Sequence, residues 1–321
     1  MSLPVLLDDL HAAAERIAPH VHRTPVYTSE TANRRVGGEV FFKAENHQKV
    51  GAFKARGATN AILQLSRDTP GVVTHSSGNH GQAVAYAAAI RGLPAWIVMP
   101  RTAPALKVDA VRSYGAEVLL CEHSERDAVA ADVADRTGAA LVHPFDDPAV
   151  IAGQGTVALE LLEQVPHLDV IVAPIGGGGL LSGIAIAASS SPRSVHVVGA
   201  EPFAVDDAYR SLESGQRQPG VEAPVTVADG LLTGIGARPF TVLTELGAEI
   251  LRITEASILT SALFYLERMK LVVEPSGAAS LAAVLSHRDR FIGRRVGVVI
   301  SGGNTDLSWL GAARRVSAGT K

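Results

Sequence analysis

The sequence has 321 residues, which is long enough for one large core or for two domains. Its formal net charge of −3 excludes the strongly basic surface that nucleic acids and anionic membranes attract. The single cysteine, Cys121, excludes an intramolecular disulfide and favours a reducing cytoplasm. No apolar run reaches the length of about 18 residues that a spanning helix needs, and the N-terminus lacks the basic start of a signal peptide.

Short apolar runs alternate along the chain with Ala-rich amphipathic stretches. The runs predict strands at 39–45, 71–75, 95–99, 116–121, 169–175, 195–201 and 296–301. The stretches predict helices at 55–66, 80–91, 104–113, 124–137, 150–164, 180–190, 256–270 and 276–286. This alternation predicts an α/β fold with parallel or mostly parallel open sheets flanked by helices. Ligand sites in such sheets lie at the carboxyl ends of strands.

Polar side chains follow the strand predicted at 71–75. Ser76, Ser77, Asn79 and His80 offer hydroxyl, amide and imidazole groups, and the glycines among them let backbone N–H groups approach a ligand. Because a helix N-terminus attracts anions, a carboxylate could bind here. The alternative is a helix cap without a ligand. A cap needs only one such residue, so the cluster favours a ligand site.

Four consecutive glycines follow the strand predicted at 169–175. Glycine loses more conformational freedom on folding than any other residue, so such a run indicates a function. The loop can surround a phosphate with backbone N–H groups at the start of a helix. It lacks the Lys-Ser/Thr ending of a nucleotide-binding P-loop, which favours a phosphate carried by a cofactor. A flexible hinge is the alternative.

The other two strand ends carry a serine and a lysine. Ser301 ends the last predicted strand, where a serine by itself is usually a turn former. The stretch KVGAFKARG contains three cations among small residues. We interpret Lys54 as a side chain that takes part in the chemistry. We interpret Lys49 as a surface or interface charge and Arg56 as helix-face support. A lysine, a phosphate loop and a partner for a pyridine nitrogen form the set that pyridoxal phosphate (PLP) requires.

Six segments in this order carry a resemblance to a known family: KVGAFKARGA, SSGNHGQA, HPFDDPAVIAGQGT, GGGGLLSG, EPSGAAS and SGGNTDL. They resemble the motifs of the fold-type II PLP-dependent enzymes, which share the fold of the tryptophan synthase β subunit. The most similar branch contains the serine/threonine dehydratases and the serine racemases. The resemblance extends over nearly the whole chain.

The resemblance implies a cofactor site. Lys54 would form the Schiff base with PLP, although Ala52 replaces the serine that is usual in this motif. Phe53 would pack near the pyridine ring, Asn79 would bond the 3′-oxygen, and Ser301 would bond the pyridine nitrogen. The residues that would hold the phosphate are Gly176, Gly177, Gly178, Gly179 and Leu180.

The resemblance also implies a reaction. Ser76, Ser77, Asn79 and His80 would bind the substrate carboxylate, and Lys54 would remove the proton from Cα. The ordinary pKa of a lysine, about 10.4, must be lowered for this step near neutral pH. Loss of the β-hydroxyl would convert L-threonine or L-serine to a 2-oxo acid and ammonia. Ser77 also stands where serine racemases place the acid/base of the opposite face.

Other activities stay open. Arg126 lies where racemase relatives place an arginine that reaches a dicarboxylate, although a surface arginine is equally consistent with the sequence. If Arg126 and His80 both face the substrate, a second carboxylate fits, and Thr233 would line the same end of the pocket. The alternatives are therefore a serine racemase or a 3-hydroxyaspartate dehydratase on the same scaffold. A non-catalytic PLP-fold binding protein is the alternative from another class, and the retained lysine, asparagine, glycine loop and serine speak against it.

The stretch AEPFAVDD (200–207) resembles the divalent-cation site of this branch. The ligands would be the side chains of Glu201 and Asp207 and the carbonyl of Val205, and such oxygen ligands suit Mg²⁺ or Ca²⁺. Without the resemblance, two solvated carboxylates would be the simpler interpretation. The resemblance further implies a homodimer that acts on a small amino-acid substrate.

We expect two domains with PLP in the cleft between them. The large domain would comprise residues 1–70 and 148–321, and the small mobile domain would comprise residues 71–147. Closure of the small domain would bring its SSGNHG loop onto the substrate carboxylate.

Overall fold

The computed structural model describes residues 3–76, 78–103 and 105–319. The strands within these residues are β1 (Val26–Thr28), β2 (Glu39–Ala44), β3 (Val72–His75), β4 (Ala95–Pro100), β5 (Glu117–Cys121), β6 (Ala140–Leu141), β7 (Val170–Pro174), β8 (His196–Pro202), β9 (Glu249–Ile253) and β10 (Arg295–Ile300). The helices are α1 (Leu7–Ile17), α2 (Glu30–Val36), α3 (Lys54–Leu63), α4 (Asn79–Arg91), α5 (Ala105–Ser113), α6 (Arg126–Thr137), α7 (Pro148–Gln164), α8 (Gly179–Ser189), α9 (Asp207–Ser214), α10 (Ala237–Glu245), α11 (Glu255–Phe264), α12 (Pro275–Ser286) and α13 (Leu310–Gly319).

The strands form two open sheets. The larger sheet has the order β1-β2-β10-β7-β8-β9, and its pairs are parallel except for β1 with β2. The smaller sheet has the order β5-β4-β3-β6, and all its pairs are parallel. Helices pack on these sheets, and strands such as β7 are buried along their whole length, as expected when both faces are covered. The predicted fold class is therefore confirmed.

The central helices α7 and α8 approach each other very closely. A Cβ atom built on Gly183 would lie 2.5 Å from the backbone nitrogen of Gly155, so only glycine fits at this crossing. α7 begins with Pro148, and the side chain of Asp147 accepts a hydrogen bond from the N–H of Val150 at 3.0 Å. Proline at the first position and aspartate at the cap both favour a helix start.

Several elements were not predicted from the sequence. β1 and β6 have only three and two residues, too few for a periodic pattern. The helix predicted at 256–270 is α-helical only to Phe264 and continues as a π-helix through Tyr265–Met269. Lys270 then takes a left-handed conformation, with φ of 59°, that ends it.

The smaller sheet takes its strands from the segment predicted as the inserted domain, 71–147. The division into two domains and the mobility of the smaller one stay predictions. Within the described ranges, no helix combines the length and the apolar composition that crossing a bilayer requires.

Candidate active site

The ends of three neighbouring strands bring the predicted lysine and serine together. β2, β10 and β7 are parallel neighbours, so their carboxyl ends lie at one edge of the larger sheet. Ala52 forms an isolated bridge with Gly302, and the N–H of Phe53 donates to the carbonyl of Ser301 at 3.0 Å. Lys54 therefore begins α3 directly beside the end of β10. The glycine loop follows β7 at the same edge.

Lys54 lies in a desolvated position. Its Nζ donates a hydrogen bond to the carbonyl of Pro144 at 2.6 Å and lies 5.2 Å from the centre of the Phe53 ring. Burial lowers the pKa of Lys54 to about 8, because the charged ammonium loses its hydration. A much larger fraction of this lysine is neutral near pH 7 than of a free lysine. It can therefore act as a nucleophile and as a base.

Two residues that were not predicted fix the side chain of Asn79. Its Nδ2 donates to Oε1 of Glu274 at 2.7 Å, and its Oδ1 accepts from Nδ2 of Asn304 at 2.8 Å. These bonds define which way the amide faces and leave the second Nδ2 hydrogen for a ligand. Glu274 and Asn304 lie inside the EPSGAAS and SGGNTDL segments, so the signal to find them was present. Their sequence positions alone do not show that they meet Asn79.

Glu274 is buried, and its exposed fraction is only 3%. Burial raises the pKa of its carboxyl to about 8, and the negative charge of Asp229 adds to the effect, whereas Lys107 and the hydrogen bond from Asn79 oppose it. Because the folded protein binds this proton more tightly than the unfolded chain, the contribution of Glu274 to stability is largest at low pH. It is lost progressively as the pH rises from about 4.5 to about 8.

We expect Glu274→Gln to remove the loss of stability that the wild type suffers as the pH rises. The free energy of unfolding of the variant should increase relative to the wild type as the pH is raised from about 5 to about 9. Chemical denaturation of both proteins across this range measures the difference. The exposed Glu213→Gln is the control and should run parallel to the wild type. Parallel curves for Glu274→Gln as well would contradict the raised pKa.

The glycine loop is shaped by an aromatic ring. A Cβ atom on Gly177 would overlap the ring of Phe145, and one on Gly179 would lie 2.9 Å from the Phe145 carbonyl. Gly178 has a φ of 89°, a conformation that favours glycine. Close packing against Phe145 therefore requires glycines in this loop, in addition to the predicted binding of a phosphate. The Phe145 ring lines one side of the loop.

The same loop offers backbone donors at the start of α8. The N–H groups of Gly176, Gly177 and Gly178 have no protein acceptor among the residues that the structure describes. Leu180 is buried in the first turn of α8, and the hydroxyl of Thr233 lies against Gly176. Donors without partners at a helix N-terminus are suited to a phosphate.

These residues fit PLP. A partly buried lysine with a lowered pKa, a donor-rich glycine loop, an oriented asparagine amide and the buried Ser301 lie around one edge of the sheet. Their individual roles stay predictions. When bound, PLP supplies an electron sink for the negative charge that develops at the substrate Cα.

The predicted carboxylate site lies at the end of β3 and the start of α4. Ser76 accepts a weak hydrogen bond from the N–H of Gly78 at 3.3 Å, and Ser77 lies outside the described residues. His80 is buried, with Nε2 3.1 Å from the carbonyl of Val142 and with no partner for Nδ1 among the described residues. Burial lowers the pKa of His80 well below its usual range, and the charge of Lys54 adds to this effect.

Further basic side chains lie near these groups. The His75 and His143 rings meet edge to face with centroids 6.0 Å apart, and His143 directly precedes Pro144. Burial lowers the pKa of His75; Asp127, whose Oδ1 lies 3.2 Å from His75 Nδ1, opposes this, and the charge of Arg126 adds to it. The charge of Arg126, at the start of α6, thus acts on His75, and the charge of Lys54 acts on the neighbouring His143.

Arg56 is not the helix-face support that we predicted. Its side chain is fully buried and pairs with Glu45 at 2.8 Å and with Glu160 at 2.7 Å. Glu160 also pairs with the buried Lys43 at 2.6 Å. The network ties β2, α3 and α7 together two residues beyond Lys54. The earlier interpretation is wrong because the partners of Arg56 come from segments distant in the sequence.

The predicted cation ligands lie at the end of β8. Glu201 and Asp207 are buried; Glu201 accepts hydrogen bonds from the N–H groups of Ala208 and Tyr209, and Asp207 accepts from Ile235. Burial raises the pKa of both carboxyls. Oxygen ligands of this kind would suit Mg²⁺ or Ca²⁺, but the described residues contain no group of three or more His, Cys, Asp or Glu side chains that could hold a metal ion. The cation itself stays a prediction.

Comparison with known proteins extends over nearly the whole chain. A family model described as pyridoxal-phosphate dependent enzyme matches residues 17–302. The chain is 47% identical over 307 residues to the beta-hydroxyaspartate dehydratase of Paracoccus denitrificans (strain Pd 1222), an alignment that covers 94% of this chain and 97% of that protein. It is 46% identical over 313 residues to the serine racemase of Dictyostelium discoideum, with 95% and 96% covered.

Two crystal structures are similar to this chain over nearly its whole length. The crystal structure of the Dictyostelium discoideum serine racemase has a TM-score of 0.89 at 45% identity and covers 95% of this chain and 100% of its own. The crystal structure of the T.th. threonine deaminase has a TM-score of 0.91 at 45% identity, with 94% and 99% covered. Because the family model and these relatives span nearly all of the sequence that carries the site, the chain belongs to the family of pyridoxal-phosphate dependent enzymes.

Proposed function

We propose that this enzyme dehydrates 3-hydroxyaspartate by β-elimination, with formation of a 2-oxo dicarboxylic acid and ammonia. This substrate takes precedence over the L-threonine and L-serine that we expected first. The proposal is supported by the similarity to a beta-hydroxyaspartate dehydratase and by the basic side chains near Lys54. A location in the cytoplasm, a homodimer and a bound divalent cation stay predictions.

In this proposal Lys54 removes the proton from the substrate Cα, and its lowered pKa makes the neutral amine available. The α-carboxylate binds at the start of α4, where Ser76, Asn79 and His80 lie, together with Ser77. Glu274 and Asn304 hold the amide of Asn79 in one orientation. The β-hydroxyl then takes up a proton and leaves as water, and hydrolysis of the released enamine, through its imine form, gives the 2-oxo acid and ammonia.

One observation carries the choice of substrate. His75, His80 and His143 all have lowered pKa values because of burial, and neighbouring positive or protonatable groups add to the effect. Three carboxylates oppose the effect: Asp127 acts on His75, and Asp146 and Asp147 act on His143. The positive charges that act on these rings are Arg126 on His75 and Lys54 on His80 and His143, and a second substrate carboxylate near them would be stabilised by their attraction. We assign Arg126 to this carboxylate.

Serine racemisation is the second candidate. The similarity to the Dictyostelium discoideum serine racemase is as strong as that to the dehydratase. Racemisation needs an acid/base on each face of the substrate, and the family resemblance assigns Ser77 to the face opposite Lys54. Elimination and racemisation share removal of the Cα proton, so one site can support both.

A substrate panel separates these candidates. We expect 2-oxo acid and ammonia to form fastest from an isomer of 3-hydroxyaspartate, in comparison with D- and L-serine and with threonine. Arg126→Ala should raise KM for 3-hydroxyaspartate about tenfold or more, as expected for loss of a charge-assisted hydrogen bond. Arg126→Ala should change KM for serine by no more than about threefold, because serine has no second carboxylate.

Arg136→Ala is the matched control for this experiment. Arg136 lies on the same helix, α6, but it is exposed and pairs with Asp132 one turn away at 2.8 Å. Its removal should leave both substrates unaffected. Turnover of serine to its enantiomer without elimination of 3-hydroxyaspartate would favour the racemase. Equal effects of Arg126→Ala on serine and on 3-hydroxyaspartate would contradict the role of Arg126.

A further inference from the structure

The segment His143–Asp146 connects three parts of the candidate site. The carbonyl of Pro144 accepts the hydrogen bond from Lys54 Nζ at 2.6 Å. The ring of the next residue, Phe145, packs against Gly177 of the glycine loop. Lys54 and the glycine loop therefore contact adjacent residues of one short segment. A small displacement of this segment would move both contacts together.

Asp146 anchors this segment to another helix. Its two carboxylate oxygens accept hydrogen bonds from different backbone groups at the start of α10, the N–H of Ala237 and the N–H of Arg238, each at 3.0 Å. The guanidinium of Arg238 returns a bond to the Asp146 carbonyl at 2.9 Å. A carboxylate at a helix N-terminus is further stabilised by the helix dipole.

The start of α10 is itself bonded to the glycine loop. The N–H of Gly236 donates to the carbonyl of Gly177 at 3.1 Å. The segment, the first turn of α10 and the glycine loop thus form a closed ring of contacts: Asp146 to α10, α10 to Gly177, and Gly177 back to Phe145. Within the segment, the N–H groups of Phe145 and Asp146 donate to Nδ1 of His143 at 3.3 and 2.9 Å. These bonds fix the turn that presents the Pro144 carbonyl.

We propose that Asp146 is a positioning residue for the cofactor site. Its carboxylate holds the segment so that the Pro144 carbonyl faces Lys54 and the Phe145 ring supports the glycine loop. The inference rests on the proposed function in one respect, because it assumes that Lys54 and the glycine loop bind PLP. It does not depend on which hydroxy amino acid is the substrate.

The chemistry of the anchor makes aspartate specific at this position. Both oxygens are acceptors, and each one meets an N–H donor. Asparagine has the same shape, but its amide nitrogen is a donor and would face one of these N–H groups. Asp146→Asn should therefore fail to anchor the segment almost as completely as Asp146→Ala, although it removes hardly any volume.

The test measures binding of PLP to the cofactor-free protein by its visible absorbance. We expect Asp146→Ala and Asp146→Asn to raise the dissociation constant of PLP at least about tenfold, as loss of a charge-assisted anchor predicts. Borohydride reduction at a fixed subsaturating PLP concentration should label less Lys54 in both variants. Unfolding of the cofactor-free proteins is recorded in parallel, so that binding is compared between folded proteins.

Asp147→Ala is the matched control. Asp147 is the next residue, and it caps α7 by accepting the N–H of Val150, so its loss lowers stability by a similar route. It should leave the dissociation constant of PLP within about twofold of the wild-type value. The inference is overturned if Asp146→Ala and Asp146→Asn bind PLP as the wild type does, or if Asp147→Ala weakens binding equally. Failure of the wild type to bind PLP at Lys54 would overturn the proposed function together with this inference.

Discussion

Lys54→Ala is expected to abolish turnover of every substrate, with a loss of at least about 10⁴-fold. Removal of a general base costs about 10²–10⁴-fold by itself, and loss of the covalent attachment of the cofactor adds to it. The structure supports this expectation because Lys54 is partly buried, has a pKa lowered to about 8 and lies at the edge where the strand ends meet. Steady-state rates with 3-hydroxyaspartate and with serine measure the loss.

Lys49→Ala is the control for this substitution. Lys49 comes from the same KVGAFKARG stretch, but it is partly exposed and precedes α3. Its loss should leave turnover within a small factor of the wild type. Borohydride reduction and peptide mapping should attach the cofactor to Lys54 in the wild type and in the Lys49 variant. Retention of more than about a hundredth of the activity by a folded Lys54→Ala protein would refute Lys54 as the essential base.

Arg56→Ala is expected to lower the free energy of unfolding by about 3–5 kcal/mol, which is the usual cost of breaking a buried ion pair. The guanidinium is fully buried between Glu45 and Glu160, and Glu45 is fully buried as well. Removal of the arginine leaves Glu45 without its ion-pair partner in a desolvated position, whereas Glu160 keeps its pair with Lys43. Denaturant titration at neutral pH measures the loss.

Two further variants test the origin of this effect. Arg23→Ala removes an exposed pair, since Arg23 and Glu163 are 2.9 Å apart at the surface, and it should cost at most about 1 kcal/mol. The combined variant Arg56→Met with Glu45→Gln should recover part of the loss, because the unpaired charge of Glu45 is removed as well. A loss for Arg56→Ala as small as that for Arg23→Ala would contradict the importance of the buried network.

Much of the fold and part of the candidate site could be predicted from the sequence. The alternation of apolar runs and amphipathic stretches predicted the parallel sheets, because strands buried on both faces and the helices between them leave a local pattern. The Gly176–Gly179 run and the placement of Lys54 near a strand end also have local signals. Short elements such as β6, with two residues, have none.

Other residues of the site could not be predicted because their role depends on their neighbours. Glu274 is an ordinary glutamate in the sequence, and only the fold places it 2.7 Å from Asn79, a residue 195 positions away. Phe145 and Asp146 lie in a motif that was recognised, but the sequence does not show that they meet the glycine loop and α10. Polar and aromatic residues in loops carry no periodicity that identifies their partners.

The sequence by itself determined the α/β class and the family resemblance, and it led to the prediction that Lys54 is the Schiff-base lysine, since each of these depends on residue types within short segments. Only the tertiary structure decided that Arg56 is a buried partner of Glu45 and Glu160, that Glu274 orients Asn79, and that Asp146 ties the segment beside Lys54 to α10. Burial and hydrogen bonding depend on segments far apart in the chain, and these interactions set the pKa values and the positions of the groups in the site.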